Sequence, residues 1–314
     1  MEIAILIPCC NEEKTIAKVI GDFKRQLPAA KIYVYDNNST DQTARIAAEN
    51  NAIVKGEFRQ GKGNVVRSMF RDIEADVYVL VDGDDTYPAE AVHDLLRPII
   101  EQQADMVVGD RLSGNAYAKT KPRPLHSAGN RLVLFLINAL FHTSLHDIMS
   151  GYRAFSRLFV KTAPLLSSAF EVETEITLHA LDKRHTIREV PVGYRDRPAG
   201  SASKLNTVSD GARVLGTIFW IFRDYKPMVF FSGLSVLFFC LGLGAGILPI
   251  MDYIQYQYVY RVPLSILATG LCLLSVVFLA VGLILNTISR LNKMDYEVMA
   301  KKTTRDAPEC YRRV

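Results

Sequence analysis

The sequence carries no charged residue between positions 228 and 251, and none between 262 and 289. Runs of that length exclude an ordinary solvated helix. At about 1.5 Å per residue each reaches across a bilayer core of about 30 Å. A pair of buried core helices is the competing reading, though such long uncharged runs are rare in soluble cores. No basic segment precedes the first apolar run, which Pro8 ends, so no secretory leader is expected. Cysteines are few: Cys9, Cys10, Cys240, Cys272 and Cys310. They show no Cys-x-x-Cys or metal-ligand spacing, which leaves reduced, structural thiols. There is no Walker pattern, and none of the six histidines sits in a compelling motif. The net charge over 314 residues is only +4, and its basic excess gathers beside the apolar runs. That suits an anionic lipid surface and argues against nucleic acid as a partner.

The basic residues also give an orientation. Arg213, Arg223 and Lys226 precede the first run, and Arg290, Lys293, Lys301, Lys302 and Arg305 follow the second. The connecting segment has Arg261 as its only basic residue, among Tyr253, Tyr256, Tyr258 and Tyr260. The positive-inside rule then puts both termini in the cytoplasm. The expected organisation is a cytoplasmic domain over 1–205 and an interfacial amphipathic helix over 206–226. A transmembrane hairpin over 227–289 follows, with spans near 228–251 and 262–289, and then a basic cytoplasmic tail over 290–314. For 206–226 a helix packed on the soluble domain is the alternative. An integral protein of a bacterial or archaeal plasma membrane is expected, with self-association through the hairpin left open.

The first 110 residues alternate between strand and helix patterns. Strands are predicted over 3–7, 31–35, 52–55, 77–81 and 105–108, and another over 187–192. Helical spacing appears at Ile16, Val19, Ile20 and Phe23, then after Asp41, after Lys62, over 132–141 and over 171–183. This alternation implies an α/β fold with a mostly parallel sheet and helices on both faces. Ligands in such sheets bind at the carboxyl ends of the strands. Polar clusters fall at those ends: Asn11-Glu12, residues 36–41, and Asp82-Gly83-Asp84-Asp85.

The last cluster is the most informative. It follows the apolar run Val77-Tyr78-Val79-Leu80-Val81 directly. Three carboxylates at the end of a buried strand need neutralising, and a hard divalent cation does this with oxygen ligands. A solvated acidic turn is the plainer reading. Lys62, between Gly61 and Gly63, is placed to approach a diphosphate.

Ile7-Pro8-Cys9-Cys10-Asn11-Glu12, Asp36-Asn37-Asn38-Ser39-Thr40-Asp41 and Asp82-Gly83-Asp84 occur in that order. As a set they resemble a family 2 glycosyltransferase of the GT-A nucleotide-sugar-binding fold. Within that family the chain is similar to polyprenyl-phosphate hexose synthases, of the dolichyl-phosphate mannose synthase and bacterial undecaprenyl-phosphate glucosyltransferase type. The resemblance covers about residues 1–225. Cys10 stands where an aromatic residue is usual, and Asn37 where a second Asp is usual.

The resemblance implies that Pro8, Asn11, Glu12 and Asp36 line a nucleoside pocket, although Asn11-Glu12 also reads as a helix start. It implies Asp84 as a direct ligand of Mg²⁺ or Mn²⁺ and Asp82 as a ligand of ribose or metal. Ser150, Gly151 and Arg153 belong to a turn near the donor sugar, and Glu173 contacts a sugar hydroxyl. Glu171, Glu173 and Glu175 equally enrich a helix first turn without catalysis. Arg111 and Arg131, with help from Ser127, hold an acceptor phosphate; surface charge is the alternative for each arginine. Arg195, Arg197, Ser203 and Lys204 form a loop closing over the diphosphate or the acceptor headgroup. Catalysis falls to Asp84, Arg111, Arg131 and Glu173.

The expected activity is inverting, metal-dependent transfer of one hexosyl unit from a UDP- or GDP-linked sugar to polyprenyl phosphate at the cytoplasmic face. A transferase using another lipid or glycan acceptor is the alternative. A processive synthase is disfavoured, because no Gln-x-x-Arg-Trp motif is present and the only tryptophan is Trp220.

Overall fold

The computed structural model describes residues 1–113, 124–166, 172–195, 216, 219–221 and 223–305. The chain divides into two compact units, Met1–Gly211 with Val298–Val314, and Ala212–Glu297. The first is built on a seven-stranded sheet. Its strands are β1 (Ile3–Cys9), β2 (Lys31–Asp36), β3 (Ile53–Gly56), β4 (Val77–Leu80), β5 (Met106–Asp110), β6 (Arg153–Ser156) and β7 (Ile187–Pro191), in the order β3-β2-β1-β4-β6-β5-β7. All neighbours run parallel except β6, which pairs antiparallel with both β4 and β5.

Strand alternation sorts the core into two layers. Ile5, Ile7 and Cys9 of β1 share one cluster with Val77 and Val79 of β4, while Ala4 and Leu6 share the other with Tyr78 and Leu80. Helices cover each face. α1 (Ile16–Gln26) buries Ile16, Val19, Ile20 and Phe23 in the first cluster, next to α4 (Val92–Ile100) with Val92, Leu95, Leu96 and Ile99. α3 (Lys62–Asp72) buries Val65, Val66, Met69 and Phe70 in the second cluster, with α6 (Arg157–Thr162) and α7 (Val172–Asp182). Each such apolar side chain contributes about 1.5–3 kcal/mol. This drives both helix layers onto the sheet and leaves its carboxyl edge to polar loops. The remaining helices of this unit are α2 (Thr43–Glu49) and α5 (Pro124–Phe141).

The expected mostly parallel α/β sheet is present. Helices α4 and α6 are not foreseen, and neither is β6. Its four residues, Arg-Ala-Phe-Ser, begin with a charge and are too short to show alternation, so the sequence suggests only a turn there. Because β6 runs backwards, Arg153 pairs with Leu80 at the carboxyl end of β4 and with Val108 in the middle of β5. The preceding Ser150-Gly151 turn is thereby delivered to the same edge as the acidic cluster. Helix α5 also starts eight residues before the apolar run that foretold it.

The second unit holds α8 (Pro227–Tyr256) and α9 (Val262–Arg305) as far as Glu297, and each helix is long and apolar enough to cross a membrane. They pack through small residues. A Cβ at Gly242 would meet Cys272 Sγ at 2.7 Å, and one at Gly282 would meet Phe231 at 2.9 Å. Ser235 and Ser275 share a hydrogen bond of 3.1 Å. Such close approach is how apolar helices associate where lipid removes the hydrophobic incentive. The basic stretch expected as a tail is helical as far as Arg305. Most of the expected amphipathic helix over 206–226 lies outside the described residues; positions 216, 219–221 and 223–225 are helical.

Candidate active site

β1, β2 and β4 end at one edge of the sheet, and each runs into a polar loop. Each loop contains one left-handed residue: Asn11 at φ 57°, Asn38 at φ 58° and Asp85 at φ 59°. Short polar side chains tolerate this conformation best after glycine. The loops are laced together. The Asn11 N–H donates to Ser39 Oγ at 2.9 Å, and Asn11 Oδ1 accepts from the Thr40 N–H at 2.8 Å. The Glu12 N–H donates to Thr43 Oγ1, and Thr15 Oγ1 donates to the Gly83 carbonyl at 2.7 Å. Pro8, half-buried, pairs with Tyr35 just inside this edge.

Asp36 has one oxygen engaged, accepting from the Ser39 N–H at 3.2 Å. Its other oxygen, Oδ1, is buried with no hydrogen-bond partner among the described residues. An unmade buried acceptor costs about 1–3 kcal/mol, so a ligand N–H or hydroxyl is favoured there. Asn37 behaves differently. Its amide donates to the Glu57 and Arg59 carbonyls, and its oxygen accepts from the Gly61 N–H at 2.7 Å. It is 4% exposed and clamps the loop that leads into α3. An amide does this with both donors and acceptor, which a carboxylate cannot.

The acidic cluster gathers around Cys9. Burial pushes this thiol well above its ordinary pKa, and the charges of Glu12, Asp36, Asp82 and Asp84 push it further. Four carboxylates therefore lie within electrostatic reach of one buried sulfur. Asp84 is 3% exposed, and its Oδ1 accepts from the Thr86 N–H and, at 2.6 Å, from Thr86 Oγ1. Asp82 is reached by Lys62, whose Nζ lies 2.5 Å from Asp82 Oδ1 and 2.5 Å from Glu173 Oε1. Burial alone would lower the lysine pKa, but the two carboxylates outweigh it and hold the ammonium above the ordinary lysine range. Lys62 thus joins α3, the loop after β4 and α7. Glu173 sits in the first turn of α7, where the helix dipole favours its charge.

Gly151 completes this group. A Cβ there would run into the Asp82 carboxylate, so only glycine lets the turn before β6 close on the acid. Gly151→Ala is expected to displace Asp82 and weaken nucleoside diphosphate binding about tenfold, since small misplacements at a site are costly. Calorimetric titration measures this, and unchanged affinity would remove Asp82 from the donor site. The Gly151 N–H and Ser150 Oγ both donate to Tyr87 Oη, at 3.0 and 3.4 Å. Arg153 faces inward. It is fully buried and donates to the Ser150 and Ile148 carbonyls and to Thr177 Oγ1, while burial pulls its pKa down to about 10. Its guanidinium supports the turn from beneath.

Past Tyr87 the site continues to the cationic side. Tyr87 packs edge-on to Tyr194, and the Arg111 guanidinium lies over the Tyr194 ring at 5.6 Å. Arg111 grips Asp147 in bidentate fashion, at 2.7 and 2.9 Å. Burial opposes the Asp147 charge, but Arg111 outweighs it and holds the carboxyl below the usual range. Arg195 is half-exposed, with Asp85 at 3.7 Å and Glu90 at 3.6 Å, and its N–H donates to the Thr86 carbonyl. Arg131 lies exposed on α5, and Ser127 is on the same helix. Arg197, Ser203 and Lys204 lie outside the described residues. Sequence reasoning misses Asp147, Tyr87 and Tyr194. Tyr87 follows the acidic run closely enough to have been noticed; the other two meet Arg111 only through the fold.

The chain is similar to known proteins. Residues 4–162 match the family model described as glycosyl transferase family 2. Glycosyltransferase AglJ of Haloferax volcanii is 32% identical over 263 residues, covering 82% of this chain and 83% of its own. A dolichyl-phosphate hexose transferase of the same organism is 31% identical over 213 residues, covering 68% and 90%. Among solved structures, glucosyl-3-phosphoglycerate synthase from Mycobacterium tuberculosis in complex with Mn²⁺, UDP-glucose and phosphoglyceric acid superposes with a TM-score of 0.51. It is 23% identical and covers 63% of this chain and 72% of its own, a likeness of fold.

Proposed function

Since the chain belongs to glycosyl transferase family 2 and is a glycosyltransferase, we propose that it moves one hexosyl unit from a UDP- or GDP-linked sugar to polyprenyl phosphate, undecaprenyl or dolichyl. The reaction inverts the anomeric centre and occurs at the cytoplasmic face of a membrane entered by α8 and α9. The observation that carries this reading is the Lys62–Asp82–Glu173 group beside Asp84, in a chain that also carries two apolar helices. A relative named as a dolichyl-phosphate hexose transferase supports the acceptor class.

The donor set fits Mg²⁺ or Mn²⁺. Carboxylate oxygens are the ligands hard cations take, and Asp82 and Asp84 supply them two positions apart just past the end of β4. Asp84 and Asp82 would hold the ion, which when bound neutralises charge on the departing diphosphate. Asp36 offers its unpartnered oxygen to the nucleoside. Lys62 lies next to Asp82 as a fixed positive charge, and Glu173 accepts from a sugar hydroxyl while held by Lys62. On the acceptor side, Arg111 and Arg131, with Ser127, orient the lipid phosphate, and the segment holding Arg195, Arg197, Ser203 and Lys204 covers it.

A phosphate monoester has its second pKa near about 6, so the acceptor is largely dianionic at neutral pH. Its oxygen forms the new bond to the anomeric carbon as the bond to the nucleotide diphosphate breaks on the opposite face. No proton has to move, so no protein base is required.

The test is incubation of the full chain in detergent with a panel of UDP and GDP sugars, each with undecaprenyl or dolichyl phosphate and Mn²⁺. Mass analysis should show lipid phosphate carrying a single hexosyl residue for one donor. Transfer to a glycan, with no modified lipid, would overturn the acceptor assignment.

A further inference from the structure

The Arg111–Asp147 pair does not stand alone. Asp147 belongs to the segment between α5 and β6, and that segment is fastened to β7 by one carboxylate. Glu189 Oε1 accepts from the His146 N–H at 2.8 Å and from the Asp147 N–H at 2.8 Å. Its Oε2 lies 2.8 Å from His146 Nδ1 and 2.9 Å from the His146 N–H. A carboxylate has no proton to give, so His146 carries its proton on Nδ1 and donates. Glu189 stands opposite Val108 in register, and two positions further β5 ends at Asp110, next to Arg111. The links therefore run from β7, through the His146-Asp147 backbone, to the guanidinium over Tyr194.

Asp110, His146 and Glu189 also bring ligand atoms within 4.8 Å of one another, a spacing a metal ion would accept. Each Glu189 oxygen already holds two donors. Asp110 Oδ1 accepts from the Leu112 and Ser113 N–H groups, and Asp110 Oδ2 accepts from Ser113 Oγ. These acceptors are already engaged within the chain, which makes the cluster a fastening.

We infer that Glu189 is a positioning residue: by pinning the His146-Asp147 backbone to β7, it fixes Asp147, and through it the orientation in which Arg111 meets the acceptor phosphate. This rests on the reading of Arg111 as an acceptor-phosphate group. The hydrogen bonds that link Glu189 to Arg111 run through Asp147. Loosening a phosphate-orienting cation by a fraction of an ångström is expected to weaken acceptor use with little effect on the donor side.

The experiment compares Glu189→Ala, Glu189→Gln, Arg111→Ala and the Glu189→Ala/Arg111→Ala double variant in the full chain in detergent. KM is measured separately for polyprenyl phosphate and for the nucleotide sugar. Labelling of Arg111 by phenylglyoxal is followed by peptide mass spectrometry without substrates. Glu189→Ala should raise the acceptor KM about tenfold, leave the donor KM within about twofold, and increase labelling of Arg111. Glu189→Gln, which keeps one acceptor oxygen and the fold, should recover part of the loss. In the Arg111→Ala background, Glu189→Ala should add less than about twofold. Losses that multiply, or donor and acceptor KM rising together, would make Glu189 merely structural and overturn the inference. Labelling unchanged from wild type would overturn the fastening itself. Increased labelling with an acceptor KM that neither variant moves would support the fastening and overturn the acceptor role of Arg111.

Discussion

Asp84→Asn is expected to lower hexosyl transfer by about 10²–10³-fold while moving Tm by no more than about 2 °C. The contrast follows from the geometry. Asp84 is buried and its Oδ1 accepts from Thr86, through both the backbone N–H and the hydroxyl. Asparagine keeps a carbonyl oxygen of the same shape for those two bonds, so the loop should hold. What asparagine lacks is the charge, in a group of carboxylates whose charges help raise the Cys9 pKa. Affinity for Mn²⁺ should therefore fall with activity. Thermal melts, metal titration and product mass measured on one preparation separate the two roles. Wild-type turnover in the variant, or unchanged Mn²⁺ affinity, would end the assignment of Asp84 as a metal ligand.

Lys62→Met should cost both stability and activity, and a divalent cation should return part of the stability. Lys62 is 12% exposed and neutralises Asp82 and Glu173 together. Removing one partner of a buried ion pair costs about 3–5 kcal/mol. Asp82 is 27% exposed, which puts this case near the lower end, about 3 kcal/mol. For a unit of this size that is a fall in Tm of about 10 °C. The raised lysine pKa gives the sign of the pH dependence. The stabilisation is complete below the ordinary lysine value of about 10.4 and is lost only as pH rises towards the folded-state value, so the wild type should show none of this loss between pH 6 and 9. Mn²⁺ should raise Tm more in the variant than in the wild type, because the ion then takes over the neutralising role. An equal rise in both would mean that Asp82 does not meet the metal.

Much of the fold was legible in the chain, because buried strands write themselves as Val and Ile runs and the helices carry regular apolar spacing. The first sheet strands, the placing of polar clusters at their ends and the two long apolar helices all follow from local pattern. β6 does not. It is specified by the strands on either side of it, and four residues carry too little alternation to reveal it. The candidate site divides in the same way. Asp82 and Asp84 announce themselves by following a buried strand. The Lys62–Glu173 contact joins positions 111 apart, and Arg111–Asp147 positions 36 apart. Distances of that kind are set by the sheet order, which local sequence does not express. Arg153 shows the converse: its motif suggests a place beside the sugar, while the short reversed strand turns its guanidinium into the core.

The backward run of β6 has a consequence for how the protein is made. β4 and β5 are complete by residue 110, yet they cannot pair with each other, because the strand that belongs between them arrives only at residues 153–156. At translation speeds of about 5–20 residues per second, the nascent sheet waits roughly 2–9 s with a slot one strand wide. Two unpaired edges face that slot, and open edges recruit foreign strands. Filling it joins β4 to β5 and seats Gly151 against Asp82 in a single step. The contact between Gly151 and Asp82 is thereby tied to the moment the growing sheet loses two of its open edges.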